Sequence, residues 1–237
     1  MTAAVPICAD AVHVWRASLD CSADRLVALE KLLSEDERAR AGRFHFSRDR
    51  DRFTTGRAAL RLLLGAYLDK PAEEVVLATT PNGKPRLAAG EGDAVSFNLS
   101  HSRELALLAF TVGREVGVDV EFVNPELAWL EVAPGFCNGA ELEQLRALPD
   151  GEARERFFKI WTAKEARLKA TGEGFSTDSK RFGVRFDGSV PAAFLPPSEI
   201  RWWLREIPVG GSFAAALVVA GADCRLQFLD FRLRDFC

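Results

Sequence analysis

The chain has 237 residues, 48% of them hydrophobic and 27% charged, and carries a formal net charge of −3. Such a composition is ordinary for a globular protein and long enough for one large domain or two small ones. The acidic balance argues against wholesale nucleic-acid binding, and no apolar run reaches the roughly 20 residues of a membrane span. The N-terminal segment lacks a basic stretch followed by an apolar one, so no secretory signal is expected. Cys8, Cys21, Cys137, Cys224 and Cys237 are odd in number and form no CxxC pair. That pattern predicts reduced thiols in the cytoplasm rather than a disulfide framework or a zinc site.

In chain order, alternating apolar residues predict a strand over 12–17. Ser34 with Glu37 three residues on forms a capping-box pattern that opens a helix through about Arg43. Residues 55–68 read as a helix with Ala59, Leu62, Leu63 and Ala66 on one apolar face. Pro81-Asn82-Gly83-Lys84-Pro85 is a turn, because Asn-Gly supplies positive φ. Strands follow over 95–99 and 105–112, joined at Ser100–Glu104. The second half repeats the plan, with a helix over 152–171, a turn at 172–174, and strands near 182–186, 202–207 and 212–219. Helix, strand and hairpin in the same order twice predict two related α+β halves joined near residues 113–117.

The segment Gly117-Val118-Asp119-Val120-Glu121 carries the first sign of chemistry. On a strand, Asp119 and Glu121 leave the same face, where two carboxylates repel unless they are solvated or share a cation. With oxygen donors only, that cation is Mg²⁺ rather than zinc. Glu165 and Lys169 stand four apart on the later helix, a spacing that also suits a plain surface salt bridge. Phe157, Phe158 and Trp161 anchor that helix in a core, while Lys164 and Lys169 fall on different faces, so that Lys164 can serve the local surface. Eight arginines between Arg38 and Arg61 against only Asp49 and Asp51 form either a solvated helix face or an anion-binding surface. The donors of Ser100 and His101 suit phosphate oxygens as well as an ordinary turn. No GxxxxGK[ST] loop, GxGxxG fingerprint or GxSxG elbow is present.

In this order, the segments NGKP (82–85), FNLSHS (97–102), GVDVE (117–121) and FFKIWTAKEARLKATGEGF (157–175) resemble the 4′-phosphopantetheinyl transferases of the surfactin-synthetase-activating (Sfp-type) class. The arginine-rich stretch 43–64 also looks like that family's coenzyme-binding region. The resemblance implies an α+β fold of two pseudo-symmetric lobes, residues 1–114 and 115–237, with the active site in the cleft between them. It further implies transfer of the phosphopantetheine arm of coenzyme A to a serine of an acyl or peptidyl carrier protein, releasing 3′,5′-ADP. By motif match, Asp119, Glu121 and Glu165 would hold Mg²⁺, or alternatively Mn²⁺, and Lys169 would donate to the pyrophosphate. Ser100, His101, Arg40 and Arg52 would contact coenzyme phosphates, and the Lys84 turn would border the adenine. Glu165 or a metal-bound water would act as general base, with Glu141 as a further alternative.

One position departs from the family pattern: Glu37 stands where a basic residue is usual, one helical turn before Arg40. An acid there would repel a phosphate dianion, so either Arg38 or Arg43 would substitute or the site would be more open. Related transferases half as long assemble as trimers, and the doubled plan here implies a monomer in the cytoplasm with no membrane or nucleic-acid partner. Two other readings use the same residues: a Mg²⁺ phosphodiesterase, and a coenzyme-binding module without catalysis.

Overall fold

The computed structural model describes residues 5–91, 95–174 and 178–232; Phe175 of the long motif and Cys237 lie outside them. The elements run β1 (Ala11–Ser18), α1 (Ala23–Glu30), α2 (Glu35–Ala41), α3 (Ser47–Leu68), β2 (Leu77–Thr79), β3 (Pro85–Leu87), β4 (Val95–Ser102) and β5 (Leu105–Val112). They continue with β6 (Val116–Phe122), α4 (Trp129–Phe136), α5 (Gly139–Arg146), α6 (Asp150–Thr171), β7 (Gly183–Asp187), β8 (Val190–Leu195), β9 (Trp202–Glu206), β10 (Phe213–Ala220) and β11 (Arg225–Asp230). The architecture is α+β. Packing separates the described chain into one unit of residues 5–78, 85–113 and 226–232 and another of 79–84 and 114–225.

In the first unit a four-stranded sheet has the order β11-β1-β5-β4. Strands β4 and β5 pair antiparallel, with Ser100 opposite Leu107 and His101 opposite Ala106. Leu60, Leu63 and Leu64 of α3, followed by Tyr67, pack with Trp15, Phe97, Leu108 and Phe110 of the sheet. Their i, i+3, i+4, i+7 spacing is that of one helix face. The other side of α3 packs Ala58 and Leu62 on Leu29 and Leu33. The single apolar face expected from Ala59, Leu62, Leu63 and Ala66 is therefore only part of a helix buried on most sides over its second half.

Helix α3 also begins eight residues earlier than expected, since Ser47–Thr54 carry alternating charges and lack an apolar period. Helix α2 starts as its sequence predicts: the Ser34 hydroxyl accepts from the Glu37 N–H at 3.3 Å, and the Glu37 carboxylate accepts from the Ser34 N–H at 3.0 Å. Strand β4 runs on to Ser102, so Ser100 and His101 lie on the strand and not in the connection. Arg103, with φ of 52°, makes that turn instead.

In the second unit the sheet order is β6-β10-β9, all antiparallel, with α6 packed on it. A side chain at Gly117 would put its Cβ 1.9 Å from the Ala166 carbonyl oxygen and 2.5 Å from the Ala170 nitrogen. Only glycine lets β6 approach the helix backbone this closely. Phe157, Phe158, Ile160, Ala163 and Leu168 of α6 form the core with Ala216 and Val218 of β10. Trp161 stacks on Phe136 with ring centroids 4.4 Å apart. The turn at residues 81–84 belongs to this unit: Asn82 donates to the Gly172 carbonyl at 2.9 Å and Lys84 to the Ala170 carbonyl at 3.0 Å.

Helices α1, α4 and α5 and strands β2, β3, β8 and β11 were not expected from the sequence. The helices are each eight residues long and bury one or two residues apiece, too few to give a readable period. Among the described residues no helix is long and apolar enough to cross a membrane.

Candidate functional site

Gly117, Asp119 and Glu121 occupy alternate positions of β6 and so share one face, the face that Gly117 presses against α6. Asp119 is only 2% exposed and Glu165, one turn before Lys169 on α6, 5%. The Lys169 ammonium donates to Asp119 Oδ1 at 2.6 Å. Burial pushes the Glu165 carboxyl up to about 7; the charges of Asp119 and Glu121 add to the rise, and Lys169 opposes it. The three acids and the lysine singled out in the sequence thus act on one another within a single unit.

Their oxygens are hard donors, and like charges gathered this closely suit a divalent cation. A cation bound there would offset the burial and the neighbouring acids that raise the Glu165 carboxyl, which fits a cation site. As the side chains stand, no three His, Cys, Asp or Glu among the described residues are grouped to grip an ion. Lys169 is the cation that meets Asp119.

The neighbouring lysine overturns an expectation. Lys164 is on a different side of α6 from Lys169, yet it serves no surface: it is 0% exposed. Its ammonium donates to Glu141 at 2.6 Å and to the Phe136 carbonyl at 2.9 Å. Glu141 also accepts the N–H groups of Asn138 and Val184, each at 2.8 Å. Both carboxylate oxygens are taken up in joining α5, α6 and β7, so Glu141 is a structural anchor rather than a base. Nothing in the local sequence pattern distinguishes this pair from two surface charges.

Lys84 is mostly buried, donating to the last turn of α6 and standing 3.3 Å from Glu115. A cation there caps unpaired carbonyls at the negative end of the helix dipole.

The remaining candidates lie in the first unit. Ser100 is buried and His101 exposed, as expected of successive residues pointing to opposite sides of a strand. Arg52 donates through Nε to Asp20 Oδ1 at 2.8 Å and through Nη2 to Oδ2 at 3.3 Å, and this hydrogen-bonded pairing raises its pKa. Arg40 and Arg57 both lie over the Phe53 ring, at 5.4 and 5.5 Å. Burial lowers the Arg57 pKa; Glu37 opposes that shift, while Arg40 and Arg61 reinforce it. Arg57 was not singled out in the sequence, where it is one arginine of eight.

The acid at position 37 is not exposed to an incoming anion. Its carboxylate accepts from Arg61 Nε at 2.6 Å, and Arg61 Nη1 donates on to the Val75 carbonyl at 2.9 Å. The Glu37 charge is thus answered by Arg61, and Arg38 donates to the Leu33 carbonyl.

Comparison with known proteins matches two family models. The one described as the 4′-phosphopantetheinyl transferase superfamily covers residues 115–218, and the one described as 4′-phosphopantetheinyl transferase, N-terminal, covers residues 15–112. The chain is 38% identical over 220 residues to the 4′-phosphopantetheinyl transferase HetI of Nostoc sp., covering 92% of each chain. It is 32% identical over 169 residues to the 4′-phosphopantetheinyl transferase psf-1 of Bacillus pumilus, covering 71% of this chain and 70% of that one. With the 4′-phosphopantetheinyl transferase Sfp of Bacillus subtilis it shares 27% over 193 residues, 81% and 84% of the two chains.

Proposed function

The chain belongs to the 4′-phosphopantetheinyl transferase superfamily, in its Sfp-type class, and from that premise we propose how its own residues carry out the transfer. The enzyme moves the phosphopantetheine arm of coenzyme A to a carrier protein. A carrier serine oxygen attacks the β-phosphorus of coenzyme A, a new O–P bond forms, and the bond to the departing 3′,5′-ADP breaks. The observation that carries the residue assignment is the convergence of Asp119, Glu121, Glu165 and Lys169 where α6 packs on β6.

Asp119, Glu121 and Glu165 would hold Mg²⁺, or Mn²⁺ in its place. When bound, that ion neutralises charge on the pyrophosphate. Lys169 turns its ammonium from Asp119 to a pyrophosphate oxygen and stabilises the charge gathering on the leaving phosphate. Glu165, or a water beside it, takes the serine proton as the O–P bond forms. Trp161, stacked on Phe136, fixes the rotation of α6 about its axis and so the aim of both side chains.

In the first unit Arg40 and Arg57, both beside Phe53, bind the coenzyme 3′-phosphate together with His101. Arg52 joins them by exchanging Asp20 for phosphate, and Ser100 supplies a further donor. Lys84 acts by positioning the end of α6.

Carrier proteins of acidic charge are steered by Arg43, Arg48 and Arg50, exposed around Phe46. Reversing these charges should weaken carrier kinetics while sparing coenzyme affinity. The four described cysteines are free thiols, which fits a reducing, cytoplasmic setting, and the two groups of site residues are contained in one chain, which favours a monomer.

The Glu121→Gln variant tests the assignment. It should bind coenzyme A and stay folded while turnover falls by roughly 100-fold or more. Full turnover in that variant would remove Glu121 from the site.

A further inference from the structure

The first unit contains a cavity of about 330 Å³ that none of the roles above uses. Its volume falls at the lower end of small-molecule sites. One wall is apolar, formed by Leu29, Ala59 and Phe231, of which Leu29 and Ala59 are buried. Arg25 and Arg232 supply the charge. Neither forms a salt bridge among the described residues.

The lining has one acid, Asp20, and its carboxylate is held by Arg52 at 2.8 and 3.3 Å. The acid is therefore compensated from outside the cavity, and the two other arginines leave a positive surplus inside it. Apolar area beside guanidinium groups that have no salt bridge among the described residues matches an amphipathic anion: the tail removes the wall from water, and the head takes charge-assisted hydrogen bonds. A bare phosphate would leave the wall wet, and an uncharged alkane or alcohol would leave both cations unanswered.

We propose that this cavity is a second ligand site, which binds a small carboxylate with a short apolar tail. Arg25 and Arg232 hold the head group, and Leu29, Ala59 and Phe231 take the tail. Cys21 also lines the cavity, with its sulfur 3.4 Å from Thr55 Oγ1, and an occupant shields that thiol from solvent. Without coenzyme A present Arg52 stays on Asp20, so shielding is measured independently of the transferase assignment, and the site can fail without the enzyme reading failing, and the reverse.

The thiol supplies the readout. The full chain is alkylated with iodoacetamide in the presence of octanoate, octan-1-ol or acetate, and the modification of each cysteine is followed by peptide mass spectrometry. Octanoate should slow Cys21 severalfold and leave the exposed Cys8 unchanged. Octan-1-ol lacks the charge and acetate the tail, so neither should protect at equal concentration. Arg25→Gln should weaken the octanoate effect roughly tenfold, and the Arg25→Glu, Arg232→Glu double variant should abolish it. Both side chains are exposed, so the variants should keep the thermal midpoint of the parent protein. No protection by octanoate up to roughly 10 mM would overturn the proposal. So would equal protection by octan-1-ol, or protection that survives in a folded double variant.

Discussion

Lys169 Nζ donates to Asp119 Oδ1 at 2.6 Å across the contact between α6 and β6. The pair brings a cation to an acid that is otherwise enclosed, but it does not offset the cost of ionising the third acid. Glu165 remains raised to about 7, by burial first and by Asp119 second.

That shift makes stability depend on pH and metal. Unfolded, Glu165 has the ordinary glutamate pKa near 4.3, so folding takes up a proton between about pH 4.3 and 7. Its contribution is fully favourable below the unfolded value and is lost as pH rises through the folded one. Glu165→Gln should therefore be more stable than the parent at pH 8 by about 1–3 kcal/mol, with the gap closing toward pH 4. Urea unfolding measures this. Millimolar Mg²⁺ should stabilise the parent at pH 8 and raise the variant much less.

The Lys164–Glu141 pair predicts a different kind of loss. Removing one partner leaves a charge buried without its counter-ion, so Lys164→Met should cost about 3–5 kcal/mol. Glu141→Gln should also be destabilised, because the hydrogen bonds that join α5, α6 and β7 weaken. The pH profile of transfer by the folded fraction should not move in Glu141→Gln. A shifted profile would return Glu141 to the chemistry.

Glu37→Lys restores the residue type usual in the family, and on sequence alone it should favour coenzyme binding. The pairing with the buried Arg61 predicts the opposite. Two cations would face each other between α2 and α3, and the capping box would lose its acceptor. The variant should lose about 3 kcal/mol of stability or more, with no gain in coenzyme affinity. Thermal unfolding and calorimetric titration read the two effects separately.

Arg40→Ala should raise the KM for coenzyme A by roughly tenfold to 100-fold, as expected when a hydrogen bond to a charged group is lost. The same variant should treat 3′-dephospho-coenzyme A much as the parent does, since the group proposed to meet Arg40 is then absent. An equal loss with both substrates would place Arg40 elsewhere on the coenzyme.

How much of this was legible in the sequence depended on the range of the interactions. The grouping of side chains on β6 and α6 could be read because period-2 spacing aligns Asp119 with Glu121, and a heavy aromatic run marks α6 as a core helix. Gly117 belonged to the motif, but its reason, the Ala166 carbonyl against its α-carbon, is a tertiary contact. Lys164 and Glu37 were misjudged for one physical cause. A charged side chain in a helix looks the same in sequence whether it meets water or a partner 23 or 24 residues away. Helices α1, α4 and α5 were missed because each buries so little, and the first turns of α3 because their charges carry no period.

The central claim is that this chain transfers phosphopantetheine. Its most direct test is the intact mass of an apo carrier protein after incubation with the enzyme, coenzyme A and Mg²⁺. A gain of one phosphopantetheine arm on a serine, with an equal amount of 3′,5′-ADP released, is the predicted result. Unchanged mass across several acyl and peptidyl carriers, from folded enzyme that binds coenzyme A, would contradict it.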